Sequence, residues 1–101
     1  MDLGSMEQDL SVLRRLVCAR LHGRGVRVFL FGSCARGEAA TTSDVDLAVL
    51  PLEPLPPGLL SSLREAIEDS GCVRRVDVVD LAIAPESLRR EVESGGVEWT
   101  S

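Results

Sequence analysis

Leu10, Leu13, Leu16, Val17, Arg20 and Leu21 recur at helical spacing, which predicts a helix over residues 5–22 with one apolar face. Ser5 is its expected N-cap, with Gln8 three residues on, and Gly23 and Gly25 stop it. Residues 26–31 form a short β-branched and aromatic run and predict a strand. Residues 32–40 read as a turn leading into a short helix, and Thr41-Thr42-Ser43 as a polar loop. Residues 44–50 predict a second strand. Between residues 51 and 58 the chain carries four prolines, a stiff, exposed connection without regular structure. Leu59, Leu60, Leu63, Ala66 and Ile67 predict a helix over residues 59–70, ended by Gly71. Residues 72–81 predict a third strand. Pro85 is expected to open a last helix at its tolerated first position, with Leu88 and Val92 as a narrow apolar stripe and Gly95-Gly96 as its end. The tail, residues 97–101, is expected to add a short edge strand or to dock Trp99.

This order, α-β-α-β-α-β-α, predicts an α/β (α+β) architecture: a small mixed sheet of three to four strands flanked by helices. The chain has 101 residues, the size of one domain. Met1-Asp2-Leu3-Gly4-Ser5 is compatible with a remnant ahead of a native start at Met6. A domain this small buries a modest share of its unfolded surface and is marginal alone, so a partner covering an apolar face, or a second copy of the chain, would help it. Only 3% of residues are aromatic, so the core must come from Leu, Val, Ile and Ala.

Charge narrows the function classes. The net charge of −5 argues against holding extended nucleic acid by general phosphate attraction. All 11 basic residues are Arg, so a side-chain cation that meets phosphate must be a guanidinium, which grips two oxygens at once. Cys18, Cys34 and Cys72 are odd in number and lack C-x-x-C spacing, which disfavours a disulfide framework or a zinc site. A reducing cytoplasm fits best. No apolar run approaches the ~20 residues that span a bilayer, and the N-terminus lacks the basic-then-apolar order of a signal peptide.

The informative stretch is Gly32-Ser33-Cys34-Ala35-Arg36-Gly37-Glu38, followed by Ser43-Asp44-Val45-Asp46-Leu47. Asp44 and Asp46 are two apart in a strand-like run, so they face the same way. Two like charges side by side are unfavourable unless a cation sits between them, and Asp is a poor strand former. The pattern suggests a hard divalent cation held by oxygens, for which Mg²⁺ is suited. If the third strand pairs beside the second, Asp77 can point at the same spot. Three such carboxylates can hold two metal ions ~3.5–4 Å apart, an arrangement that serves in-line phosphoryl displacement. Asp44 and Asp46 would bridge the ions, and Asp77 would take the acceptor-side ion and could accept the proton of an acceptor hydroxyl. Asp80 competes with Asp77, but its odd offset turns it the other way.

Gly32 lets the backbone approach a phosphate, and the amides that follow offer an anion site. Ser33 adds a hydroxyl donor. Arg36 lies one turn on and could neutralise triphosphate charge. The Walker pattern G-x-x-x-x-G-K-[ST] is missing.

Gly32-Ser33, ten residues, then Asp44-Val45-Asp46 resembles the signature of the DNA polymerase β-type nucleotidyltransferase superfamily. The longer form, Gly-Ser-x-x-Arg-Gly and then Ser-Asp-x-Asp-Leu, resembles its minimal nucleotidyltransferase branch, which includes antitoxins paired with HEPN ribonuclease toxins. The resemblance implies a nucleotidyltransferase fold over residues 1–101 as a single domain. It implies Gly32 and Ser33 on the triphosphate, and Asp44, Asp46 and Asp77 as the metal-binding catalytic triad. It further implies ATP as substrate with two Mg²⁺ ions, Mn²⁺ being a substitute, and AMP transfer to a Tyr hydroxyl on a HEPN-type toxin. Two rivals remain: a catalytically silent module that merely binds a partner, and a small-molecule transferase of the aminoglycoside type.

Blander readings stand beside these. Ser33 can cap the helix that follows. Arg36 and Glu38 can be surface residues. His22 suits a helix C-terminus as a cation. Cys34 defaults to packing, Arg74 and Arg75 to a solvated pair, and Trp99 to a packing role.

Overall fold

The computed structural model describes residues 3–37, 44–72 and 74–100, with side chains from residue 6 onward. In chain order the elements are α1 (Leu3–Arg20), β1 (Val26–Phe31), α2 (Ser33–Arg36), β2 (Val45–Pro51), α3 (Leu59–Asp69), β3 (Val76–Asp80), α4 (Glu86–Gly95) and β4 (Val97–Trp99). The strands form one mixed sheet in the order β3-β2-β1-β4. β1 runs antiparallel to both β2 and β4, whereas β2 and β3 are parallel. The expected α/β (α+β) arrangement of helices around a small mixed sheet is present, with four strands.

The parallel pair follows from the connection between its strands. The link from β2 to β3 contains α3, long enough to carry the chain back along the sheet, as a parallel crossover requires. β2 is the central strand with respect to burial. Val45, Leu47 and Val49 face one side and Ala48 the other, and all four are fully buried. A strand covered on both faces reads as a continuous apolar run rather than an alternating one.

Alternation along the strands separates two cores. On one face Val28, Leu30, Val45, Leu47, Val49, Val78 and Trp99 meet Leu13 and Val17 of α1, Leu21 just beyond it, and Leu63 and Ile67 of α3. On the other face Phe31, Ala48 and Leu81 meet Val92 of α4, with Phe29, Leu50, Val79 and Leu88 partly buried around them. α4 is the helix that packs into this second core, which makes it the thinner one. Among the described residues no helix is long and apolar enough to cross a membrane.

Several boundaries differ from expectation. α1 starts at Leu3, so Ser5 lies inside it rather than capping it. Its end at Arg20 precedes Leu21, His22 and Gly23, which form a turn. Pro85 is the N-cap of α4 rather than its first helical residue, so the helix starts one residue later than expected, at Glu86. Both expectations for the tail are met: Val97–Trp99 pairs with β1, and Trp99 is buried. Arg14 donates two hydrogen bonds to the Thr100 carbonyl, at 3.2 and 2.8 Å, tying the tail to α1.

The third strand is shorter than its sequence suggests. Pairing with β2 begins at Val76, just after the Val45 amide donates to the Arg75 carbonyl at 2.9 Å. Arg74 is drawn instead toward α1, where its Nε lies 2.8 Å from the Asp9 carboxylate. Val73 lies outside the described residues, as do residues 38–43, and with them Glu38 and the predicted Thr41-Thr42-Ser43 loop.

Candidate active site

The site lies where β1 ends and where β2 and β3 begin. Phe31, the last residue of β1, pairs with Asp46 near the start of β2. Asp46 in turn pairs with Asp77 across the parallel ladder. Residues in register on adjacent strands project from the same face of a sheet. Asp46 and Asp77 therefore stand side by side on the face that also carries Ala48 and Val79, and Asp44, two residues earlier on β2, has the same parity. Asp80 is three residues from Asp77 and falls on the opposite face, as its offset predicts. Its Oδ1 accepts a hydrogen bond from the Ala82 amide at 2.9 Å and so shapes the turn after β3.

Gly32 closes β1 with φ 78° and ψ −155°, a backbone conformation open essentially to glycine alone. A second constraint acts at the same residue. A Cβ on Gly32 would lie 2.5 Å from Oδ2 of Asp46. The carboxylate thus rests directly on the Gly32 backbone, and no other residue type leaves it that space. The Gly32 carbonyl accepts from the amides of Ala35 and Arg36, at 3.1 and 3.2 Å. These bonds wind the chain at once into α2, with Gly37 in the left-handed conformation at its end. Gly32 is the N-cap of α2 and no side chain caps the helix, so the capping role considered for Ser33 is not the one it fills.

Electrostatics tie these residues into one cluster. Burial pushes the Asp46 carboxyl above its usual range, and the negative charges of Asp77, Asp44 and Glu91 push it further; Arg36 acts in the opposite direction. Asp46 therefore senses both expected companions, together with an acid and a base from the helices. Cys34, half-buried in α2, donates through Sγ to the Asp44 carbonyl at 3.4 Å. Its thiol is pushed up by burial and by Asp46 and Asp44, against the opposing pull of Arg74. Both effects act against the thiolate and support the packing role for Cys34.

Glu91 was not among the sequence candidates. It lies on α4, and its Oε2 is 3.7 Å from Nη1 of Arg36. The contact joins two helices more than fifty residues apart, and no local pattern announces it; the only sequence signal is its place beside Val92 on the inward stripe of α4. Arg75, read as a solvated residue, reaches Oδ1 of Asp77 at 3.7 Å while remaining largely exposed.

The donor set suits a hard divalent cation. Asp46 is partly buried and crowded by further carboxylates, a repulsion that a cation would remove, and all the donors are oxygens. Among the described residues, no three Asp, Glu, His or Cys side chains are arranged closely enough to grip one ion as they stand.

Comparison with known proteins gives the family. The family model described as polymerase beta nucleotidyltransferase matches residues 24–99, a span that includes the Gly32 turn and all three aspartates. A solved structure provisionally named a minimal nucleotidyltransferase is 35% identical, with a TM-score of 0.65 over 96% of this chain and 95% of that one. The Haemophilus influenzae protein MntA, assigned as a protein adenylyltransferase, is 40% identical over 62 residues, which are 61% of this chain and 54% of MntA. The chain thus aligns with about half the length of that curated relative. A chain from the crystal structure of a toxin–antitoxin with AMP-PNP is 26% identical, with a TM-score of 0.69 over 87% of this chain and 73% of that one. With a family model running from before β1 to the end of β4, and a minimal nucleotidyltransferase matched over nearly its whole length, the chain belongs to the polymerase β nucleotidyltransferase family.

Proposed function

We propose that the chain transfers AMP from ATP to a hydroxyl of a partner protein, and that the partner is a HEPN-type toxin modified on a tyrosine, so that the chain acts as an antitoxin. The observation that carries this reading is the contact of Asp46 with the Gly32 backbone on one side and its register with Asp77 on the other. It brings a turn able to approach phosphate within reach of paired carboxylates. The likeness to MntA supports adenylyl transfer to protein. The likeness to a toxin–antitoxin structure with AMP-PNP supports both the nucleotide and the class of partner.

In this reading Gly32 and Ser33 hold the triphosphate through backbone amides and the Ser33 hydroxyl, and Arg36 adds a guanidinium to the phosphate charge. Asp44, Asp46 and Asp77 would hold two Mg²⁺ ions, with Mn²⁺ a substitute; bound there, the metal neutralises charge on the attacking and leaving oxygens. The Asp77 carboxylate lies at the open edge strand β3, where an acceptor can approach, and takes the proton from the acceptor hydroxyl. The acceptor oxygen bonds to the α-phosphorus, the α–β anhydride bond breaks, and pyrophosphate leaves. Gly32 keeps Asp46 close to the phosphates because nothing larger fits between them.

The test is incubation of the purified chain with ATP labelled at the α-phosphate, Mg²⁺ or Mn²⁺, and a HEPN-type toxin. Label on a toxin tyrosine is expected with the wild type and not with Asp46→Asn. No label with the wild type, or equal label with the variant, overturns the proposal.

A further inference from the structure

A second concave feature lies at the β3 edge of the sheet, on the face covered by α3. It is a cavity of about 360 Å³ between α3 and the residues leading into β3, lined by Arg64, Arg74 and Arg75 together with Glu68, Cys72 and Val76. Its lining carries three guanidiniums and one carboxylate, Glu68; Asp9 and Asp77 engage Arg74 and Arg75 from outside the lining.

Each arginine is held by a different part of the fold. Arg64 reaches from α3 to donate to the Val78 carbonyl at 2.8 Å, along the open edge of β3. Arg74, with only 6% of its side chain exposed, is fixed by Asp9 at 2.8 Å. Arg75, 75% exposed, both lines the cavity and reaches Asp77 at 3.7 Å. The cavity and the aspartate cluster are therefore neighbours joined through one side chain. The strand order β3-β2-β1-β4 puts the Gly32 turn on the β1 side of Asp46 and the arginines on the β3 side. A triphosphate held at the turn does not need them.

We infer that this cavity is a docking site for a carboxylate-bearing stretch of the acceptor polypeptide, which anchors the acceptor while its hydroxyl lies at Asp77. The inference rests on the transferase reading only in taking the acceptor to approach from the Asp77 side. Arg64 and Arg75, the two exposed guanidiniums of the lining, suit bidentate capture of Asp or Glu carboxylates. The volume is at the small end of ligand pockets, enough for one or two acidic side chains. Nucleic acid fits less well, because the lining residues include no aromatic side chain for base stacking.

The test is an NMR titration of the full ¹⁵N-labelled chain with a blocked tetraglutamate peptide, and separately with a single-stranded tetranucleotide. The peptide is expected to shift the Arg64 and Arg75 Nε–Hε resonances saturably while leaving the Gly32 and Ser33 amides in place. It is expected to bind more tightly than the tetranucleotide. An Arg64→Gln, Arg75→Gln double variant, its fold checked by spectral dispersion, is expected to weaken the peptide by roughly tenfold or more, the loss of about 1.4 kcal/mol. Absence of arginine shifts in the wild type, tighter binding of the tetranucleotide, or an unchanged affinity in the folded double variant overturns the inference. Titration with AMP-PNP in the same sample reads Gly32 and Ser33 independently, so a failed nucleotide site and a failed cavity are distinguished.

Discussion

Asp46 and Asp77 face each other in register across the parallel ladder of β2 and β3. Central strands of small sheets are normally filled with β-branched and aromatic residues, and Asp is disfavoured there. Placing two acids at one level, one of them partly buried, sets local stability against charge density. The rest of β2 is apolar and fully buried from Leu47 to Val49, which offsets the loss. The cluster is held together by the sheet despite its own repulsion, and that has measurable consequences.

Asp46→Asn is expected to raise the melting temperature at pH 7. The folded-state carboxyl titrates above its ordinary value of 3.8, so the folded protein binds the proton more readily than the unfolded chain. Stability from this group is then highest at low pH and is lost as pH rises through the folded pKa. Asn removes the ionised form, so its advantage is full above that pKa and disappears as pH falls below 3.8. Melting curves of both proteins from pH 3 to pH 8 check this. Transfer by the variant should fall by more than the roughly 10–100-fold that outer-shell changes at metal sites cost.

Mg²⁺ is expected to stabilise the wild type and not Asp46→Asn. A ligand present at a hundred times its Kd adds about 2.7 kcal/mol to stability, worth roughly 10–20 °C in a domain of this size. Thermal denaturation in Mg²⁺ and in EDTA measures it. Equal shifts in both proteins would mean that the cation binds elsewhere.

Gly32→Ala tests the other flank of Asp46. The new methyl must occupy space 2.5 Å from Oδ2 of Asp46, and φ there is 78°. The backbone cost alone is about 1–3 kcal/mol. The variant is expected to fold with a lowered melting temperature and to lose AMP transfer, because the carboxylate must move away from the turn. Retention of wild-type transfer would show that the close contact is dispensable.

Much of this was legible in the sequence because it is local. The apolar period of α3 and the run in β2 set those elements, and parity alone turned Asp80 away from the site. The Gly32-Ser33 turn was legible because a glycine ending a strand and opening a helix has few other uses. What escaped depends on long-range contacts. Residues 72–75 read as strand, yet Arg74 pairs with Asp9 some sixty-five positions away, and the ladder starts only at Val76. Glu91 meets Arg36, and its charge acts on Asp46, through the packing of α4 on the sheet; Arg64 meets β3 from α3. None of these pairings leaves a periodic trace.

Arg74→Ala is expected to destabilise the fold more than any exposed ion pair would. Its guanidinium is nearly buried, and its loss leaves the Asp9 carboxylate, 29% exposed, without its 2.8 Å partner. A hydrogen bond to a charged group contributes about 1.5–3 kcal/mol, so the chemical-denaturation midpoint should fall with the slope unchanged. Arg90→Ala, at an exposed pair with Glu86 on α4, should change stability by less than about 0.5 kcal/mol. Similar losses for the two would mean that the Asp9–Arg74 contact does not fasten the β3 entry to α1.

Glu91→Gln separates binding from chemistry. Glu91 holds Arg36 at 3.7 Å and adds negative charge beside Asp46, so in the proposed reading it would compete with a triphosphate for the same guanidinium. Both side chains are about half exposed, and such a pair contributes roughly 0.2–1 kcal/mol. Removing the Glu91 charge should therefore lower KM for ATP by up to about fivefold, while kcat stays nearly constant because Glu91 contacts no reacting atom. Arg36→Ala should raise KM in the opposite direction, and combining the two changes should give the Arg36→Ala value, since Glu91 then has no cation to withhold. Steady-state transfer at varied ATP resolves the cases. A fall in kcat with KM unchanged in Glu91→Gln would instead assign Glu91 to the reacting centre.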